Sequence, residues 1–128
     1  MTSQIPNVLL LEDEPQLGEE LVEYLSSHGY EVDLGRTIGE AVAVLGSPGP
    51  QLCLVVDLRL AREEGQGVFV RIAQDVRLLG RIAHVVVTSG DMEQLANLRA
   101  SPPCPGMGFL AKPYTGPDLL AEIAAGAA

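Results

Sequence analysis

Four places in this chain set reactive side chains directly after apolar runs. Glu12, Asp13 and Glu14 follow "NVLLL", and Asp57 follows "LCLVV". Thr88 and Ser89 follow "AHVVV", and Lys112 follows "GFLA". Three adjacent acids repel one another, and a turn needs at most one of them. They are either solvated loop charges or the surroundings of a cation. A hard divalent ion with oxygen ligands would offset that repulsion, and magnesium typically uses one or two carboxylates together with phosphate oxygens. A hydroxyl and an ammonium suit the oxygens of a transferring phosphoryl group, and a carboxylate can serve as its nucleophile. Each residue also has a plainer reading. Asp57 can be a turn residue, Thr88 and Ser89 can cap a helix, Lys112 can be a surface charge, and Glu14 can serve a helix dipole.

Positioning these groups together requires a particular frame. Apolar runs at 7–11, 30–34, 51–56, 81–87 and 107–111 read as five strands. The third and fourth are nearly continuous and rich in Val, as in strands buried on both faces of a parallel sheet. Helical spacing appears between them. Leu17, Leu21 and Leu25 form one stripe, stopped at Gly29. Thr37 reads as the N-cap of a second helix carrying Ile38, Val42 and Leu45. Val68, Ile72, Val76 and Leu79 predict one continuous third helix. Leu95 and Leu98 mark a short fourth helix, cut off by "SPPCPG". Thr115 and Pro117 open the last, with Leu119, Leu120 and Ile123 on its buried side. Five β-α units imply an α/β parallel sheet covered on both faces, with ligands outside the carboxyl ends of the strands. All four reactive clusters fall at such ends.

Bulk properties narrow the classes further. At 128 residues, with 47% apolar and 20% charged, the chain is long enough for one core. A net charge of −9, from 17 acids against 8 bases, argues against nucleic-acid contact, which needs a basic surface. It leaves room for a divalent cation. Cys53 and Cys104 make no disulfide framework, and Cys53 reads as a small buried hydrophobe. No signal peptide is evident, and no apolar run approaches the roughly 20 residues of a membrane span. A reduced, cytoplasmic protein is expected. His28 and His84 read as structural rather than as metal ligands.

In their order and placement, the acidic pair, "DLRL", "TSG" and "KP" make the chain resemble the receiver domain of a bacterial two-component response regulator. The likeness runs from "NVLLLEDE" to the last helix. It implies a flavodoxin-like doubly wound (βα)5 fold with strand order 2-1-3-4-5, an order taken from the family. It further implies that residues 1–128 form a single receiver with no output domain. By resemblance, Asp57 accepts a phosphoryl group from a histidine kinase or phosphotransfer protein. Asp13 would ligate Mg2+ directly and Glu12 through water, with Asp57 and the backbone carbonyl of Arg59 completing the set. Lys112 and Thr88 would contact phosphoryl oxygens, with Ser89 beside them, and Thr88 and Phe109 would form the conformational switch. Arg59 would tune hydrolysis, shielding the phosphate or pairing with Glu12 or Glu14. Such a protein is not an enzyme on other substrates, since it catalyses only its own phosphorylation and dephosphorylation. It signals to a downstream protein, as a monomer or a phosphorylation-dependent dimer.

Departures from the family's pattern leave alternatives. Ala61 stands where a proline is common, although Gly65 is retained, and the proline-rich 101–105 segment alters the usual docking face. A degenerate receiver, docking partners without phosphorylation, is the main alternative. A phosphatase of the dehalogenase type is the weaker one. That family places Asp-x-Asp after its first strand, whereas Asp57 follows the third and its second neighbour is Arg59.

Overall fold

The computed structural model describes residues 6–60, 67–102 and 106–127. The readings made for Ala61, Gly65 and Cys104 lie outside them. The element order is β1 (Asn7–Leu11), α1 (Pro15–Ser27), β2 (Glu31–Gly35), α2 (Ile38–Gly46), β3 (Leu52–Asp57), α3 (Gly67–Ala73), α4 (Val76–Gly80), β4 (Ile82–Ser89), α5 (Met92–Ala100), β5 (Met107–Ala111) and α6 (Gly116–Ala127). All five strands pair in parallel in the order β2-β1-β3-β4-β5. The fold is flavodoxin-like, as the resemblance implied.

Alternation along each strand divides the interior into two layers. Leu9, Leu11, Leu54, Val56, Val85 and Val87 pack with Ile38, Leu45, Ile72 and Leu95, on the side of α2, α3, α4 and α5. Val8, Leu10, Cys53, Val55 and Val86 pack with Leu21, Leu25, Leu119 and Ile123, on the side of α1 and α6. Every residue of β3 is buried, which is why its run is continuously apolar until Asp57. Burial pushes the Cys53 thiol up to about 12, so this cysteine is a packing residue rather than a nucleophile.

The local signals acted largely as expected. Thr37 caps α2 by accepting from the Glu40 N–H at 3.1 Å, and Thr115 caps α6 by accepting from Asp118 at 3.2 Å. Gly29, with φ +92°, takes the left-handed conformation that ends α1. His28 lies against Tyr24, its Nδ1 2.8 Å from the Tyr24 carbonyl.

The predicted third helix is two helices, α3 and α4. Asp75 takes an extended backbone and caps the second by accepting from the Arg77 N–H at 2.9 Å. Its side chain also pairs with the Arg77 guanidinium. This break changes the helical phase. Leu78 is buried, whereas Val76 is 82% exposed and Leu79 51%. A smaller irregularity lies in the sheet. β3 pairs Leu52 with Ile82 but Cys53 with His84, so Ala83 is an extra residue in β4.

Among the described residues, no helix is long and apolar enough to cross a membrane.

Candidate functional site

The sheet's register assembles the site. Leu11 is the partner of Val56, and Asp57 is the partner of Thr88. Glu12 and Asp13 therefore leave β1 beside the end of β3, and Lys112 leaves β5 just beyond the Ser89–Ala111 pair. By alternation, Glu12 follows Leu10, Asp57 follows Val55, Thr88 follows Val86 and Lys112 follows Leu110, all on the α1/α6 side. Backbone hydrogen bonds hold the ends in place. The Glu12 N–H donates to the Gly35 carbonyl at 3.0 Å, Leu58 to Thr88 at 3.0 Å, and Lys112 to Ser89 at 2.8 Å. The Gly35 carbonyl, at the end of β2, thus anchors the acidic strand end.

Lys112 Nζ lies 3.0 Å from Asp57 Oδ2 and 3.2 Å from Glu12 Oε1. Both carboxylates are buried, Glu12 with 2% exposure and Asp57 with 3%. Asp57 Oδ1 accepts from the Arg59 N–H at 3.0 Å, and Glu12 Oε2 from the Glu14 N–H at 3.2 Å. Asp13 is half-buried beside them, and carboxylate oxygens of Glu12, Asp13 and Asp57 all lie within 4.8 Å of one another. Burial, reinforced by the Asp57 charge, pushes the Glu12 carboxyl up to about 7 against the opposing pull of Lys112. Burial alone would lower Lys112, but its bond to Asp57 and the charges of Asp57 and Glu12 leave it raised. Three carboxylates thus meet a single ammonium, and the arrangement suits a divalent cation with oxygen ligands.

Arg59 does not pair with Glu12 or Glu14. Lys112 already occupies Glu12, and the Arg59 guanidinium instead reaches Asp91, 3.3 Å away across the mouth of the site. Asp91 is the N-cap of α5, accepting from the Gln94 N–H at 3.1 Å. The capping considered for Thr88 and Ser89 thus belongs to Asp91. Ser89 Oγ supports it, accepting from the Asp91 N–H at 3.0 Å and donating to Gln94 at 3.1 Å.

No protein-family model matches the chain. It is 35% identical over 121 residues to the swarming motility regulation protein RssB of Serratia marcescens, covering 93% of this chain and 52% of that protein. The signal receiver domain of a LuxO repressor protein from Vibrio parahaemolyticus superposes with a TM-score of 0.77. That match covers 95% of this chain and 89% of the other at 24% identity. A response regulator from Burkholderia pseudomallei, with a phosphorylated aspartic acid, calcium ion and citrate, superposes at 0.76 over 96% of this chain and 69% of that one, at 21% identity. In sequence this chain is similar to response regulators, and in fold to their receiver domains. It spans about half the length of the curated regulators it matches.

Two further residues fall beside the site or on the opposite layer. Phe109 is half-buried on the α5 side, in register with Val87, and the Arg99 guanidinium lies 5.3 Å above its ring. This cation–π contact was not foreseen, because nothing in the spacing of Arg99 and Phe109 announces it. Nothing in the sequence singles out Tyr114 either. Its ring packs in the α1/α6 layer, and its hydroxyl oxygen is buried without a hydrogen-bond partner.

Proposed function

We propose that this receiver takes a phosphoryl group from a phosphohistidine onto Asp57 in a Mg2+-dependent phosphorelay. The observation that carries the reading is the Lys112 ammonium bridging Asp57 and Glu12, with Asp13 alongside and Thr88 in register with Asp57. Glu12, Asp13 and Asp57 would hold Mg2+, together with the Arg59 carbonyl assigned by resemblance. When bound, the ion supplies charge neutralisation for the acidic cluster and the incoming phosphoryl oxygens.

The chain's own residues do the rest. An Asp57 carboxylate oxygen attacks phosphorus, the phosphorus–nitrogen bond of the donor breaks, and the imidazole leaves with the electron pair and takes up a proton. The Arg59 N–H fixes one Asp57 oxygen, leaving the carboxylate oriented. Lys112 and the Thr88 hydroxyl stabilise charge on the phosphoryl oxygens. Water hydrolyses the acyl phosphate to restore Asp57. The protein acts on itself and on no other substrate. Its donor is a sensor histidine kinase or phosphotransfer protein, and its phosphorylated form presents a changed surface, including the Thr88 and Phe109 region, to a downstream protein or a second copy.

The test is intact mass after incubation with a small acyl phosphate, with Mg2+ or with chelator, for wild type and Asp57→Asn. A Mg2+-dependent gain of one phosphoryl group, absent from the variant, is expected. No gain in wild type, from the acyl phosphate or from a kinase, would overturn the reading in favour of a docking module independent of phosphorylation.

A further inference from the structure

Tyr114 lies two residues beyond Lys112, in the loop that joins β5 to α6. Its ring belongs to the α1/α6 layer, the side onto which Glu12, Asp57, Thr88 and Lys112 all project. With Glu14, Leu17, Lys112 and Pro113 it lines a groove of about 330 Å³ beside the acidic cluster. A phenylalanine ring would fill the same apolar space. The hydroxyl therefore needs its own account, because a buried polar oxygen without a partner is costly and uncommon. Among the described residues, only His84 Nε2 shares that condition.

The surroundings of the oxygen limit what it can do. Burial, followed by the Glu12 and Asp57 charges, keeps the phenol protonated well above its usual range against a smaller opposing pull from the Thr88 side chain, which projects onto the same layer. A protonated phenol facing carboxylates is a donor. Thr88 has one proton to give and lone pairs to receive. If Tyr114 donates to Thr88 Oγ1, the Thr88 proton is left for an oxygen outside the pair, and the two bonds polarise each other.

We propose that Tyr114 is a positioning residue, whose hydroxyl donates to Thr88 and aims the Thr88 hydroxyl at the phosphoryl oxygen on Asp57. The inference rests on the reading of Asp57 as phosphoacceptor. In this structure the phenol oxygen has no hydrogen-bond partner. The short movement that completes the bond accompanies the arrival of the phosphoryl group.

Beryllium fluoride with Mg2+, a non-hydrolysable stand-in for the phosphoryl group, tests this on the whole chain. Affinity is measured for wild type, Tyr114→Phe, Thr88→Val and the double variant, together with melting temperature. Tyr114→Phe should weaken binding about three- to tenfold when Thr88 is present, the range of one hydrogen bond, and should add nothing when Thr88 is Val. Its melting temperature should not fall. An equal loss in both backgrounds would assign Tyr114 a merely structural role and overturn the proposal. So would unchanged binding by Tyr114→Phe beside a clear loss in Thr88→Val. Failure of wild type itself to bind beryllium fluoride would instead remove the Asp57 reading, and this inference with it.

Discussion

Lys112 Nζ sits 3.0 Å from Asp57 Oδ2, and the same nitrogen is the nearest counter-charge to Glu12. One cation thus compensates two buried anions on different strands. Partial exposure of the lysine, at 25%, screens the interaction, but the carboxylates have little access to water.

Replacing Lys112 with Met should therefore destabilise the apo protein by about 1–3 kcal/mol above neutrality, less than a fully buried pair because of that screening. The loss should shrink in mild acid, where Glu12 takes up a proton, and should also shrink when Mg2+ is added. Urea unfolding at about pH 5 and about pH 8, with and without chelator, would check both effects. A loss independent of pH and metal would mean that packing, rather than charge, sets the contribution of Lys112.

Glu12 should make stability fall as pH rises. Its carboxyl goes from an ordinary value of 4.5 up to about 7 in the folded chain, so the native state holds the proton more tightly than the unfolded one. The associated stability is fully present below about 4.5 and is lost as pH rises through about 7. In chelator, wild type should lose on the order of 2 kcal/mol relative to Glu12→Gln across that window. Proton and cation compete for the same oxygens, so Mg2+ affinity should climb with pH over the same range in wild type and stay flatter in the variant. Parallel unfolding curves and a shared metal–pH profile would contradict this account.

The break between α3 and α4 separates two residues that the sequence places together. Leu78→Ala should cost about 2–4 kcal/mol, because it opens a cavity against the α2 side of the sheet. Val76→Ala should stay within about 0.5 kcal/mol, because the valine is exposed. Chemical denaturation of the two variants measures the contrast, and a large loss at Val76 would restore the continuous helix.

The strands were legible because each is an apolar run bounded by glycine, proline or charge, and the reactive residues stand where such runs stop. Strand order was not, since pairing is a long-range choice that spacing does not encode; it came by resemblance. The α3–α4 break escaped because Val76 and Leu79 continue the helical period from Val68 and Ile72, while the deciding signal was the single capping carboxylate of Asp75. Arg59 was readable as a cation near the site but not as the partner of Asp91, a contact across 32 residues of chain. Tyr114 was hidden by its own type, because an aromatic beside a strand end reads first as core.

Ala83 gives the register a further meaning. Its extra position in β4 is what sets Thr88, rather than Val87, opposite Asp57. Were Ala83 paired with Cys53 and the ladder continuous, valine would face the acceptor, and the hydroxyl would move one place along and to the other side of the sheet. Every motif would remain in the sequence unchanged, yet the site would be lost. An irregularity at the far end of a strand is therefore as much a part of the site's specification as the residues within it.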